Sequence, residues 1–397
     1  MNTLLVKYSE IALKGRNRRF FEDRLVHTIQ AVVPEDATVK KERGRIRVTL
    51  ADAGDMRQAE EALSRVFGVH SFSKAVVVES SIEAITDAAL DKLVGAELHE
   101  AASFALETRR SDKGFEYTSK QINEIVGKAI QEAHPGVSVD LNDSDFTIFI
   151  EVREKGTYLY TDKDLQSGPG GLPVGMSGTG LALLSGGIDS PVATWLAMKR
   201  GLSMDAVYFH SAPYTGEKAK EKVLDLARVL ARWKGEAMRV YVPSLALVQK
   251  EISENAPEGY WTILFRRSMQ RIAERIARQK KYGLLVTGDS LAQVASQTPE
   301  NLTAVNAGST ILTIRPLIGY DKVETVARSQ HIGTYAISTR PFEDCCSVFT
   351  PSNPKTKARL VDVEKAESRC RSLEKLENQA IEEMQVFEVT PGKIQTV

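Results

Sequence analysis

Residues 181–193, LALLSGGIDSPVA, hold the side chains and backbone most suited to chemistry. An apolar run enters Ser185-Gly186-Gly187-Ile188-Asp189-Ser190, and Pro191 follows. Adjacent glycines let the backbone approach a ligand closely. Loop N–H groups followed by a helix N-terminus attract an anion. Ser190 suits the N-cap and Pro191 the first helical position. The expected ligand is an anion. The loop is not of the Walker A type, because no Gly-Lys-Ser/Thr closes it. Read as structure alone, it is a tight strand-to-helix turn. Asp189, read as structure alone, favours the helix start.

Other reactive types are sparse. The three cysteines are Cys345, Cys346 and Cys370, too few for a disulfide framework or a CxxC…CxxC metal site. Cys345 and Cys346 are adjacent between Pro341 and Pro351, a loop setting that permits an accessible thiol. Cys370 falls on an apolar helix face and reads as core. The six histidines show no pairwise ligand spacing. His210, at the end of a strand, is either structural or on the side of a bound base.

Alternating elements must position these groups. Strands are expected at residues 181–184, 206–209, 237–242 and 284–287, with helices at 191–200, 217–234 and 260–282. Short apolar strands alternating with helices imply a parallel sheet covered on both faces. Ligands in such sheets bind at the carboxyl ends of the strands. Residues 355–385 read as one long amphipathic helix. Upstream, strands at 3–7 and 45–50 flank a helix over 20–33, in which Phe21, Leu25, Ile29 and Val32 share a face. Another helix is expected at 56–66. A second small α+β unit runs from 69 to about 164, with helices at IEAITDAALDKLV and INEIVGKAIQEA. Its strands are FALETRR, FEYTS, FTIFIEV and YLYTD. Between the two styles lies SGPGGLPVGMSGTG, residues 167–180, with six Gly and two Pro in fourteen positions. That is the clearest boundary in the chain.

The motif SGGxDS resembles the PP-loop of ATP pyrophosphatases. Further segments narrow the resemblance. EIALKGRNR (10–18), GGLPVGMSG, TGDSLAQVASQT (287–298), IRPLIGYDK and PFEDCCSVF occur in the order found in tRNA 4-thiouridine synthetases, the ThiI family. This resemblance implies an α/β fold. A C-terminal parallel-sheet PP-loop domain of the adenine nucleotide alpha hydrolase type, 181–397, follows two small α+β domains. Those are a ferredoxin-like domain, 1–68, and a THUMP RNA-binding domain, 69–166, joined on by the Gly-rich linker 167–180.

The implied activity is ATP-dependent tRNA sulfurtransfer. Uridine 8 of tRNA is adenylated, and persulfide sulfur replaces its C4 oxygen, with release of AMP and pyrophosphate. By resemblance, ATP meets Leu184, Ser185, Gly186, Gly187, Asp189, Ser190, Phe209, His210, Arg266, Gly288 and Gln297. Asp189 and Cys346 are the catalytic pair, with Cys345 as the alternative sulfur carrier. Magnesium accompanies ATP, since departing pyrophosphate builds negative charge that cations must offset. No dedicated metal cage is expected. The implied partners are tRNA, a cysteine desulfurase as sulfur donor, a ThiS-like sulfur carrier protein for thiamine thiazole synthesis, and a second copy of the chain. The 397 residues leave no room for the C-terminal rhodanese-like domain of longer members, which weakens the thiamine role.

Charge patterning supplies the RNA-facing candidates. Residues 1–47 hold eleven Lys/Arg against six Asp/Glu, with Lys14, Arg16, Arg18 and Arg19 beside Phe20 and Phe21. Such clusters suit phosphate contact. The helix over 260–282 has seven Lys/Arg and one acid, and Arg267, Arg271, Arg275 and Arg278 share a face expected to meet phosphates. Lys322 is given a tRNA or phosphate role. Lys plus Arg equals Asp plus Glu at 52 each, so these basic stretches are balanced elsewhere. Early charge in the first residues and the lack of a long apolar run favour a cytoplasmic protein without a membrane segment. Two rival readings are a PP-loop ligase acting on a small metabolite and a non-catalytic THUMP tRNA-binding protein. The first leaves the basic N-terminal domains unexplained, and the intact SGGIDS opposes the second.

Overall fold

The computed structural model describes residues 2–90, 103–342, 349 and 351–397. They form two compact units, residues 1–173 and 174–397.

The first unit holds two five-stranded sheets. One is built from β1 (Thr3–Lys7), β2 (Thr38–Glu42), β3 (Arg45–Thr49), β4 (Ser71–Lys74) and a later strand, in the order β10-β4-β1-β3-β2. Helices α1 (Arg18–Gln30) and α2 (Met56–Leu63) belong to the same domain. Leu25 and Ile29 are fully buried among Leu4, Val6, Ile46 and Val48, while Phe21 and Val32 are partly buried around them. That is the face the four-four-three spacing defined. The other sheet uses β5 (Val76–Val78), β6 (Ser103–Arg110), β7 (Ser138–Val139), β8 (Phe146–Arg153) and β9 (Gly156–Thr161), in the order β5-β9-β8-β6-β7. Helices α3 (Ile82–Ala88) and α4 (Ser119–Ala133) accompany it, the latter opened by a Thr118–Gln121 capping box.

Three expectations change here. FEYTS is not a strand; Arg110 Nη1 instead donates to the carbonyls of Phe115 and Tyr117 at 2.8 Å each and fixes a loop. Strand β4 pairs with β1, so the boundary expected at 68/69 falls after residue 74. Strand β10 (Leu165–Ser167) returns to pair with β4, placing the end of the expected RNA-binding domain back in the first sheet.

The Gly-rich stretch is held at both ends. Gly168 and Gly170 N–H groups donate to His70 and Val69 carbonyls at 2.9 and 2.8 Å, within the first unit. Ser177 N–H donates to Gly201, and Ser203 N–H to Gly178, both at 2.9 Å, within the second.

The second unit is a seven-stranded sheet ordered β15-β14-β11-β12-β13-β16-β17. Strands β11 (Thr179–Leu183), β12 (Ser203–Val207), β13 (Met238–Val242), β14 (Leu284–Val286) and β15 (Thr313–Ile314) run parallel. Helices α5 (Asp189–Lys199), α6 (Glu217–Lys234), α7 (Ala246–Asn255), α8 (Trp261–Lys280), α9 (Pro299–Asn306), α10 (Lys322–Ile332) and α11 (Tyr335–Ser338) connect and cover them. After β11 the chain goes to one side for β12 and β13, then crosses to the other for β14 and β15. The carboxyl end of β11 is therefore the topological switch point, where such sheets bind ligands.

The long helix expected over 355–385 is two helices, Leu360–Glu367 and Leu373–Glu382. A turn at 368–372 buries Cys370 and separates them. The break has a physical reason: it brings Glu367 and Glu377 onto the arginines of α8 from two directions. Beyond it, β16 (Gln385–Val389) and β17 (Ile394–Thr396) form a hairpin, and β16 runs antiparallel to β13.

Candidate active site

The loop after β11 is tied across itself by its two serines. Ser190 Oγ accepts from the Ser185 backbone N–H at 2.8 Å and lies 3.1 Å from Ser185 Oγ. Ser185 Oγ in turn accepts from the Gly187 N–H at 3.3 Å. Helix α5 starts at Asp189 with Ile188 as N-cap, so Ser190 is not the cap expected from its type. Its hydroxyl is used instead to close the loop. Ser338, on α11, donates to the Gly187 carbonyl at 3.1 Å and props the loop from outside.

Gly288 follows β14 and presses directly on this loop. A Cβ there would sit 2.7 Å from Ser190 N and 2.9 Å from the Asp189 carbonyl carbon. Only glycine fits without moving backbone. The two strand ends thus frame a cavity of about 290 Å³. Leu183 and Leu184 come from the end of β11, Tyr208 and Phe209 from the end of β12, and Arg266 and Met269 from α8. Ser185, Asp189, Ser190, Gly288 and Gln297 complete the part of the lining expected to meet ATP. The lining combines apolar and aromatic side chains with polar and charged ones, which suits a flat base joined to phosphates. Gln297 Oε1 is buried with no hydrogen-bond partner among the described residues. An unsatisfied buried acceptor is costly unless a ligand donates to it.

Asp189 is engaged at both oxygens. Lys322 Nζ donates to Oδ1 at 2.6 Å and Gln293 Nε2 to Oδ2 at 3.0 Å. Lys322 opens α10 beside the capping box of Asp321 and Glu324, so its backbone position is well fixed. The ammonium of Lys322, expected to meet tRNA or a phosphate, lies on the loop aspartate. Gln293 was not singled out, although it sits within TGDSLAQVASQT.

His210 lies just beyond the cavity wall. Its Nδ1 is 3.2 Å from Thr215 Oγ1, and Nε2 is 3.7 Å from Glu217. Burial lowers its pKa, with Lys220 acting in the same direction and Glu217 against it. The ring braces the chain after β12, and Phe209 is the residue that faces the cavity.

The arginine face of α8 is a correction. Arg267 Nη2 pairs with Glu367 at 2.9 Å, and Arg271 bridges Glu367 at 2.8 Å and Glu377 at 2.7 Å. Arg275 reaches Glu377 at 3.1 Å, and Arg278 pairs with Glu274 at 2.6 Å. Spacing showed a cationic stripe, but the counter-charges of Arg267, Arg271 and Arg275 lie about a hundred residues away and share no local pattern with it; Arg278 has its partner one helical turn back. From Arg267 to Arg275 the stripe is an ion-pair lattice with Glu367 and Glu377, so that part of the face expected to meet phosphates is neutralised within the protein.

Among the N-terminal candidates, Arg18 is held by Glu22 and by Tyr8 Oη, both at 2.8 Å. Lys14 lies over the Phe21 ring at 5.0 Å. Arg16 and Arg19 are exposed, with Asp23 at 3.7 Å from Arg19. Arg18 also lines a cavity of about 430 Å³ with Lys41, Arg43, Arg153 and Lys155, where Glu22, Glu42 and Glu154 temper the charge. Cys345 and Cys346 lie outside the described residues. Cys370 is buried, and burial pushes its thiol up to about 11, as a core cysteine requires.

Comparison with known proteins identifies the family. Residues 175–371 match the family described as thiamine biosynthesis protein (ThiI), 3–73 the ThiI ferredoxin-like domain, and 79–162 the THUMP domain. The probable tRNA sulfurtransferase of Coxiella burnetii is 44% identical over 389 residues, covering 97% of this chain and 98% of that protein. This chain belongs to the ThiI family. A relative from Caldanaerobacter subterraneus, also a probable tRNA sulfurtransferase, is 44% identical over 93% of this chain and 95% of its own length. Among solved structures, a crystal structure of a 4-thiouridine synthetase–RNA complex with bound ATP superposes with a TM-score of 0.88. It is 37% identical and covers 98% of this chain and 100% of that one. Within the ThiI match lie the loop, Arg266, Gly288, Gln297 and Lys322; within the ferredoxin-like match lie Lys14, Arg16, Arg18 and Arg19.

Proposed function

We infer that this ThiI family chain is an ATP-dependent tRNA sulfurtransferase that makes 4-thiouridine at position 8. The observation that carries the reading is the cavity at the switch point of the parallel sheet, lined by Ser185, Asp189 and Ser190 of the loop together with Arg266, Gly288 and Gln297. ATP would lay its base against Leu184, Phe209 and Met269 and direct its phosphates at the loop and the α5 N-terminus. Gly186 and Gly187 keep that approach open. The uridine C4 oxygen attacks the α-phosphate and pyrophosphate leaves; the terminal persulfide sulfur then displaces AMP from C4, and a second thiol cleaves the carrier S–S bond, which leaves 4-thiouridine and a disulfide that an external dithiol reductant returns to thiols. Lys322 and Arg266 lie where negative charge gathers during the first step.

Asp189 is the carboxylate that would hold magnesium. Such an ion would be held mainly by substrate phosphates and one protein carboxylate. When bound, magnesium supplies charge neutralisation to the phosphates. Asp189 meanwhile keeps Lys322 and Gln293 turned toward the loop.

We also propose that Cys346, or its neighbour Cys345, carries the persulfide, with a cysteine desulfurase as donor. Lys14, Arg16, Arg18 and Arg19 are proposed tRNA contacts. A homodimer, a cytoplasmic location and sulfur transfer to a ThiS-like carrier for thiamine thiazole complete the reading. No described helix is long and apolar enough to cross a membrane.

The test combines the protein with ATP, Mg²⁺, unmodified tRNA and a cysteine desulfurase, and follows 4-thiouridine by its near-ultraviolet absorbance. Wild type is expected to thiolate the tRNA, and no thiolation would overturn the function. Asp189→Ala is expected to lower pyrophosphate release by at least about 100-fold with tRNA binding retained.

A further inference from the structure

Arg266 and Gln297 come from different elements, yet both reach one carboxylate. Asp289 is 5% exposed, three residues beyond β14. Its Oδ1 accepts from Arg266 Nη2, and from Gln297 Nε2 at 3.4 Å. Its Oδ2 accepts from Thr287 Oγ1 at 2.8 Å and from Arg315 Nε at 3.1 Å. Burial would raise the Asp289 pKa, but the Arg266 charge, the Thr287 hydrogen bond and Arg315 outweigh it and keep the group ionised.

A carboxylate offers about four lone-pair sites. Here four donors occupy them, so Asp289 has no capacity left for a cation, a substrate proton or a phosphate-bound water. Asp189 differs: it is more exposed, with one donor on each oxygen. The two aspartates of the cavity therefore divide the work, one facing ligand and one facing protein.

What Asp289 does hold is specific. Arg266 is gripped at both ends of its guanidinium, by Asp289 at Nη2 and by the Ser296 carbonyl at Nη1, 2.9 Å away. The Gln297 amide is turned with its nitrogen toward Asp289, which leaves Oε1 as the acceptor without a partner. Two guanidiniums share one carboxylate, so Asp289 does not fully neutralise Arg266. An arginine immobilised before the ligand arrives does not lose its rotamer freedom on binding.

We propose that Asp289 is a positioning residue of the adenylation step, setting Arg266 and Gln297 at the cavity wall ahead of ATP. The assignment rests on the reading that this cavity takes ATP.

The experiment measures tRNA-dependent pyrophosphate release by the full chain as a function of ATP concentration. Asp289→Asn is expected to raise the ATP KM at least tenfold, with tRNA Kd within twofold of wild type. Arg266→Gln raises it similarly. The double variant is expected to be no more than about twofold worse than Arg266→Gln alone, because residues that act through one another are non-additive. Thr287→Val loosens Oδ2 without changing charge. It is expected to raise KM two- to fivefold in the wild-type background and to have no effect in Arg266→Gln, so it decides the matter if Asp289→Asn does not fold. A fully additive double variant would overturn the proposal. So would an unchanged KM in Asp289→Asn together with a lowered melting temperature. Wild type that releases no pyrophosphate at all would instead overturn the ATP reading itself.

Discussion

At the scale of single residues, the site depends on close approach. Gly288 touches the backbone of Asp189 and Ser190, so any side chain there must displace the loop. Gly288→Ala is expected to fold with a small loss of stability and to weaken ATP binding at least tenfold, measured by nucleotide titration. Unchanged affinity would mean that the loop can retreat without consequence. Much of this site was legible from the sequence. Ser185, Asp189 and Ser190 announce themselves by type and spacing, and the resemblance added Arg266, Gly288 and Gln297. Asp289, Arg315 and Gln293 were not legible as partners. Their roles depend on which donors tertiary structure brings to them, and one acidic residue after a strand carries no such information. The misassignment of Ser190 has the same origin: a serine near a helix start looks like a cap whether its hydroxyl bonds forward into the helix or back across a loop.

At the scale of elements, α8 is the organising piece. Its one end brings Arg266 and Met269 to the cavity, and the row behind them binds the two C-terminal helices. Glu377 is 1% exposed and serves both Arg271 and Arg275. Removing one member of a buried pair leaves uncompensated charge, so Glu377→Ala is expected to cost about 3 kcal/mol in urea denaturation. Glu367 gives the pH dependence. Burial would raise its pKa, but Arg267 and Arg271 outweigh that and lower it from the ordinary 4.5. Its stabilisation is therefore complete above about pH 4.5 and is lost as pH falls through the lower folded value. Wild type should lose stability on acidification more steeply in that range than Glu367→Gln, and parallel curves would contradict the assignment. Parallel strands and helices of this unit stood out because their periods are local. The C-terminal hairpin did not, since β16 is a strand only because β13 offers it an edge.

At the scale of the molecule, the zero net charge conceals two different uses of basic residues. Arg267, Arg271 and Arg275 are neutralised internally, whereas Arg16 and Arg19 are exposed. The cavity is lined wholly by residues between Leu183 and Gln297, inside the unit 174–397. That unit closes its own core and sheet. A fragment of residues 174–397 is expected to bind ATP within about threefold of the full chain and to leave tRNA unthiolated; full thiolation by the fragment would show that the N-terminal unit is dispensable. The separation of 100 residues between Arg267 and Glu367 also sets an order of events. Chains fold as they leave the ribosome, N-terminal parts first. Helix α8 emerges with Arg267, Arg271 and Arg275 lacking the acids that will receive them, and Glu367 and Glu377 arrive later. Until they do, the helix that delivers Arg266 is held on one side only. A nascent chain can thus complete its N-terminal unit well before it owns a finished ATP site, and the last helices to be made bring the first step of the chemistry within reach.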